Sequence, residues 1–206
     1  MSFQDNYIRH LNQLDKDACI QALIEQLDTK QINLDQAYQT ISSALALSVP
    51  SDNHDIWQEH AKTQIVRTSL EVLTPYLLRE VPKTNGKRIA VICPEGEYHE
   101  LGPRLVSDRI RRLGYDSLYL GNSLPSHELI KLVEEGNINA LAMSVSNFYT
   151  LSAVNTVIAQ INERKPSMPI LLGGLAVSHN SNQIHGSNVC LCHTMEDLEK
   201  RLGELK

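Results

Sequence analysis

At 206 residues, 42% of them hydrophobic, the chain can bury one substantial core and a smaller second one. Its formal net charge of −5 disfavours a nucleic-acid surface, which calls for a basic patch. No apolar run approaches a membrane span, and the polar start Met1-Ser2-Phe3-Gln4-Asp5 is no signal peptide, so a cytoplasmic protein without membrane contact is expected.

From the N-terminus, apolar residues at three-four spacing predict helices over 7–14, 16–27, 33–49 and 55–78. Asp15 and either Asn33 or Asp35 suit helix starts, and residues 48–53 read as a break. The pattern changes at Pro82-Lys83-Thr84-Asn85-Gly86. Beyond it, short apolar strands at 88–93, 117–120, 140–144, 170–172 and 188–191 alternate with helices at 101–113, 126–135, 151–163 and 194–202. The expected fold is therefore α/β. A four-helix bundle over residues 1–82 precedes a flavodoxin-like or Rossmann-like five-stranded parallel sheet over 86–206, in the order 2-1-3-4-5. Ligands of such sheets bind outside the carboxyl ends of the strands, at the switch point.

Cys19, Cys93, Cys190 and Cys192 are scattered, and only the last two are close. Alternate strand residues share a face, but no further His or Cys pair completes a zinc site beside them, so free buried thiols are expected. Ser144 lacks the strained Gly-x-Ser-x-Gly elbow of a hydrolase, and no Gly-x-Gly-x-x-Gly follows the first strand.

Just after that strand stands Glu97-Tyr98-His99-Glu100-Leu101-Gly102. A histidine that binds a metal through one ring nitrogen carries a proton on the other, and a carboxylate that accepts it fixes tautomer and basicity. Glu97 and His99 suit those two roles, although an acid and a histidine in a solvated loop make the same pattern. Forty-one residues (103–143) separate Gly102 from Ser144-Val145-Ser146, and 26 more (147–172) precede Gly173-Gly174.

These elements, in this order and near these spacings, resemble the cobalamin-binding domain of methionine synthases, corrinoid methyltransferase proteins and cobalamin-dependent regulators. Their pattern is Asp/Glu-x-His-x-x-Gly, then Ser-x-Leu/Thr, then Gly-Gly. The resemblance implies cobalamin as cofactor, with His99 as lower cobalt ligand in place of the cofactor's own dimethylbenzimidazole and Glu97 as its hydrogen-bond partner. Ser144 and Ser146 would meet the displaced tail, Gly102 would open a helix beside it, and Gly173 and Gly174 would let backbone approach the nucleotide. Glu97 replaces the usual Asp of the methyltransferases, and Ser146 stands where many members have Leu or Thr.

In the family a helical bundle covers the upper face of the corrin, a role the resemblance gives to residues 1–82. Glu59-His60, near the start of the last long helix, resembles the MerR-class cobalamin photoreceptor repressors, in which the acid contacts the adenosyl group and the histidine becomes the upper cobalt ligand after light removes it. Pro94 to Gly102, Arg111-Arg112-Leu113-Gly114-Tyr115 and Tyr119-Leu120-Gly121 also look like those regulators. Glu59 and His60 are thus candidates for the upper face, His60 as a second metal ligand. Trp57 is carried as a third candidate there, with core packing its favoured reading. The photoreceptors' own Trp falls at Val49, ten residues before Glu59, a departure that counts against adenosylcobalamin and favours methylcobalamin, hydroxocobalamin or a bis-histidine state.

The regulators carry a DNA-binding helix-turn-helix, whereas this bundle starts within the first few residues, so no direct DNA binding is expected. The expected function is a stand-alone, light-responsive cobalamin sensor. It would signal to a protein partner such as a transcription regulator, would be no enzyme, and would be open to homo-oligomerisation. The alternatives are a corrinoid methyl carrier of a methyltransferase system and a heme-binding relative. The other histidines, His10, His54, His127, His179, His185 and His193, have no partner at metal-ligand spacing and read as solvated, although His179 and His185 follow Gly173-Gly174 and could edge the tail pocket.

Overall fold

Ser2 sets the start of the first helix in the computed structural model, which describes residues 1–47 and 56–205. Its hydroxyl accepts the Asp5 N–H at 3.1 Å while the Asp5 carboxylate accepts the Ser2 N–H, a capping box that opens α1 (Phe3–Asn12) before the first apolar repeat. Asp15 caps α2 (Lys16–Asp28) by accepting the Ala18 N–H. Asn33 rather than Asp35 caps α3 (Leu34–Leu47), since Asn33 and Gln36 exchange backbone-to-side-chain bonds of 2.9 Å. The fourth helix, α4 (Ile56–Glu80), contains Pro75. The expected break at 48–53, Val49, His54, and the expected helix ends at 49 and 55 lie outside the described residues.

These helices form one compact unit, Met1–Glu80, and Val81–Lys206 forms another. The first buries Leu11, Leu23, Leu70 and Leu73, each worth about 1.5–3 kcal/mol when removed from water. The fully buried phenol of Tyr7 bonds the Ser69 hydroxyl at 2.6 Å, so that neither polar group is stranded.

In the second unit β1 (Arg88–Ile92), β2 (Asp116–Tyr119), β3 (Ala140–Ser144), β4 (Ile170–Gly173) and β5 (Val189–Leu191) form a parallel sheet in the order β2-β1-β3-β4-β5, as expected. Alternate residues divide the sheet between two helical layers. Ala90, Ile92, Leu141, Met143 and Leu172 pack under α6 (Ser126–Glu135), α7 (Leu151–Arg164) and the five-residue α8 (Leu175–His179). Ile89, Val91, Ala140, Ala142 and Leu171 pack under α5 (Leu101–Arg112) and α9 (Met195–Gly203).

The second face carries the smaller side chains in β3, and Ser144 continues its register opposite Gly173. Filling under α5 and α9 therefore stops short of the carboxyl end of the sheet. All four cysteines are free, Cys19 and Cys93 buried but Cys190 and Cys192 only half-buried. No helix among the described residues is long and apolar enough to cross a membrane.

Candidate functional site

Glu97 lies in the loop between β1 and α5, and its carboxylate is almost completely buried, at 1% exposure. Such burial is tolerated because both oxygens are saturated. One accepts the His99 backbone N–H at 3.0 Å and pairs with His99 Nδ1 at 2.5 Å. The other accepts the backbone N–H groups of Ser146 and Asn147, at 2.6 and 2.7 Å. Burial pushes the carboxyl upward, but the hydrogen bonds from the His99 ring, the His99 N–H and the Asn147 and Ser146 N–H groups outweigh it and hold the group at about 2. Glu97 is thus an ionised anchor that ties the loop after β1 to the loop after β3.

The consequence falls on His99. With Nδ1 donating to a carboxylate, the ring is held in the tautomer that presents Nε2 as a lone-pair donor, and its side chain is 66% exposed. Among the described residues no group of three or more His, Cys, Asp or Glu side chains could hold a metal ion. A lone, well-oriented imidazole suits a metal that brings its other ligands with it, as in a macrocycle.

Beside this pair a groove of about 250 Å³ runs between the sheet and the α5 and α9 layer. Val91, Ala142, Ser144 and Leu171 form its floor, Gly102 and Val106 one wall, Met195 and Leu198 the other. A Cβ at Gly102 would meet no protein atom within 4 Å, so this glycine leaves space in the groove wall rather than serving internal packing. Gly173 carries the opposite constraint, because a Cβ there would stand 2.9 Å from the Cys192 carbonyl oxygen. Gly174, with φ of 107° and ψ of 166°, sits where only glycine is at ease, and a Cβ would collide with the Val145 carbonyl oxygen. A Gly174→Ala variant should accordingly lose at least ~3 kcal/mol of unfolding free energy in urea titrations, from backbone strain and clash together.

The sequence-selected residues therefore fall into two groups. Glu97, His99, Gly102, Ser144, Ser146, Gly173 and Gly174 come together at the carboxyl edge of the sheet, around the switch point between β1 and β3. Within that group Ser146 meets Glu97 through its backbone N–H, a support for the histidine's partner. Trp57, Glu59 and His60 lie in the first turns of α4, in the other unit. There Trp57 is 61% exposed, which corrects the expectation that it packs into the core. Its place in the first turn leaves it beyond the buried stripe, which begins at Ile65 and Val66.

Sequence reasoning missed the amides of Ser146 and Asn147, because backbone donors carry no residue signature. It also missed the part played by the segment from Cys192 to Leu198 in the groove. The expected strand order held the clue, since the carboxyl end of the last strand must lie beside that of the fourth. Exposed His193 lines the groove, whereas His179 and His185, which could have edged it, do not. A wider depression of about 820 Å³, between α7 and residues 182–186, contains none of the motif residues.

The B12 binding domain model matches residues 87–194, which cover the sheet, the loop with His99 and the whole groove up to Thr194. The methanol–corrinoid protein of Methanosarcina barkeri is 28% identical over 104 residues, 48% of this chain and 38% of that protein. The methionine synthase of Mycobacterium tuberculosis is 21% identical over 119 residues, 57% of this chain and 10% of that enzyme. The match thus spans well under half of either curated relative. Among solved structures, the monomethylamine corrinoid protein of Methanosarcina barkeri superposes with a TM-score of 0.80 over 99% of this chain and 98% of its own, at 18% identity. A cobalamin-binding protein from Desulfitobacterium hafniense gives a TM-score of 0.53 over 100% and 98%, at 15% identity. At these identities the structural likeness is one of fold.

Proposed function

The chain belongs to the B12 binding domain family and its cofactor is cobalamin, and from that premise we propose that it is a cobalamin-dependent sensor whose output is read by a protein partner. Bound cobalamin supplies a cobalt whose upper ligand can be lost or exchanged, while the protein supplies ligation, orientation and access. His99 Nε2 would ligate the cobalt, and Glu97 would keep the Nδ1 proton in place and the imidazole basic. Ser144, Gly102, Gly173 and Gly174 admit the displaced tail to the groove. The observation that carries the lower half of this reading is the buried Glu97 carboxylate, which bonds His99 Nδ1 and is held by two backbone amides of the β3 loop.

The sensor reading rests on Glu59-His60. His60 is exposed in the first turns of α4, and in the photoreceptor repressors that Glu59-His60 resembles such a histidine answers ligand loss at cobalt; His60 would supply the same imidazole here, giving a two-state change in protein contacts. A transcription regulator is the partner we favour, light the signal, and no catalytic turnover the outcome. Illumination of protein loaded in the dark with methyl- or adenosylcobalamin should change its absorbance to that of a bis-histidine species. His60→Ala should alter only the illuminated spectrum. Light that changes neither absorbance nor oligomeric state would exclude light sensing.

A second reading, a methyl carrier of a methyltransferase system, is favoured by the end-to-end superposition on the monomethylamine corrinoid protein. Under it His60 would hinder access, and His60→Ala would accelerate methyl transfer from the loaded protein to a thiol supplied with a partner methyltransferase.

A further inference from the structure

The loop that carries Glu97 and His99 is also held by the loop between β2 and α6. That second loop is stitched to the end of β1, because the Cys93 N–H donates to the Gly121 carbonyl at 3.0 Å and the Leu124 N–H to the Cys93 carbonyl at 3.1 Å. From there it reaches both flanks of the motif. After His99, Glu100 receives the Tyr119 hydroxyl on its backbone carbonyl and the Asn122 amide on its carboxylate, each at 3.0 Å. Before His99, Pro94 to Glu97 form a tight turn, closed by the Glu97 N–H on the Pro94 carbonyl at 3.0 Å, with Gly96 at φ of 80°. Ser123 clasps that turn twice. Its hydroxyl accepts the Gly96 N–H at 3.1 Å, and its own N–H donates to the Glu97 carbonyl at 3.0 Å.

Ser123 does this from a backbone conformation that serine does not favour. Its φ is 49°, in the left-handed region, where a Cβ crowds the chain and glycine or asparagine is the usual occupant. Glycine would hold the same backbone without strain and keep the N–H bond to Glu97. What glycine cannot supply is the hydroxyl. Strain of this kind persists where surrounding structure imposes it, and it gathers at functional sites. Here the strained residue grips Gly96 and Glu97 from both ends of the peptide unit that joins them. The Glu97 carboxylate serves His99 with one oxygen and the β3 loop with the other, so it tolerates little movement of the backbone that carries it.

We propose that Ser123 is a positioning residue for the metal ligand: through the Gly96 N–H and the Glu97 carbonyl it sets the carboxylate that in turn sets the His99 imidazole. This rests on the reading of His99 as the cobalt ligand. Such a brace preorganises the imidazole, so its loss is felt in cofactor binding rather than in the stability of the empty protein. In the empty protein the strain that glycine relieves at position 123 offsets the half-buried hydrogen bond that is lost.

Two substitutions in the full chain pull affinity and stability apart. Ser123→Gly removes hydroxyl and strain together. Its urea midpoint should match the wild type, while its affinity for hydroxocobalamin in absorbance titrations should fall ~10-fold, the lower end of the loss caused by removing a group that orients a metal ligand. Ser123→Thr keeps the hydroxyl but adds a β-branch that the left-handed region tolerates poorly, so its urea midpoint should fall while its Kd stays within ~3-fold of the wild type. Electron paramagnetic resonance of the cobalt(II) forms supplies a signature that a purely structural role would not move. With nitrogen-15 in the histidines, His99 on cobalt gives a doublet and the cofactor's own base a triplet. Wild type and Ser123→Thr should show the doublet alone, and Ser123→Gly a mixture of the two. The proposal is overturned if Ser123→Gly binds as the wild type does, or if affinity follows stability so that Ser123→Thr is the weaker binder. A wild type that does not bind hydroxocobalamin, or that shows only the triplet, would instead remove the reading of His99 and this proposal with it.

Discussion

Replacing His99 by alanine is expected to lower cobalamin affinity by at least ~100-fold, since loss of a partner that merely orients a metal ligand already costs ~10–100-fold. The effect should be large because the His99 imidazole is held by its Nδ1 bond to Glu97 at 2.5 Å, and among the described residues no group of three or more His, Cys, Asp or Glu side chains could hold the metal instead. The variant should still fold, losing some stability with the ring's bond to the buried Glu97 carboxylate. Its side chain is 66% exposed in the wild type, and the His99 backbone N–H that bonds Glu97 is retained. Whatever cobalamin still binds should show the absorbance of a cofactor without protein imidazole. Wild-type affinity and spectrum in His99→Ala would mean that the groove holds the cofactor with its own base on cobalt.

Glu97→Gln should damage both binding and stability. The carboxylate accepts four hydrogen bonds, two on each oxygen. A glutamine has one carbonyl oxygen and must turn its NH2 group toward one pair of donors, either those of His99 or those of Ser146 and Asn147. A stranded buried donor costs about 1–3 kcal/mol, so the apo variant should unfold at clearly lower urea. Its cobalamin affinity should fall by ~10–100-fold, because the imidazole loses the carboxylate that fixes its tautomer.

The pH dependence of the apo protein carries the same signature. Burial raises the Glu97 carboxyl, yet its bonds to His99, Asn147 and Ser146 bring it from an ordinary 4.5 down to about 2. A depressed carboxyl stabilises the fold fully above 4.5 and loses that contribution as pH falls toward 2. The wild type should therefore shed stability across that window, while Glu97→Gln, which has no proton to gain there, should shed less. Urea titrations of both proteins at several pH values check this, and parallel losses would remove the ionised anchor from the account.

Much of the α/β half was legible because its strands are short apolar runs separated by amphipathic helices, and because parallel strands so spaced favour one order. The site motif was legible for a different reason. Metal ligation and close backbone approach demand particular residue types, and Glu97, His99, Gly173 and Gly174 are of those types. What escaped detection involves groups without such demands. The cap at Ser2 precedes the apolar repeat of its helix, α8 spans a single short turn after Gly174, and the amides of Ser146 and Asn147 are backbone. Trp57 misled because an aromatic residue in a helical pattern reads as core, whereas the first turn of α4 precedes the buried stripe.

The central claim is that His99 has replaced the cofactor's own base as the lower ligand of cobalt. Electron paramagnetic resonance of the loaded protein reduced to cobalt(II) reads that ligand directly, through the splitting from the axial nitrogen. When all histidines carry nitrogen-15, the triplet splitting of the natural-abundance sample should become a doublet. A triplet that persists in the nitrogen-15 protein would show the cofactor's own base still on cobalt and contradict the account.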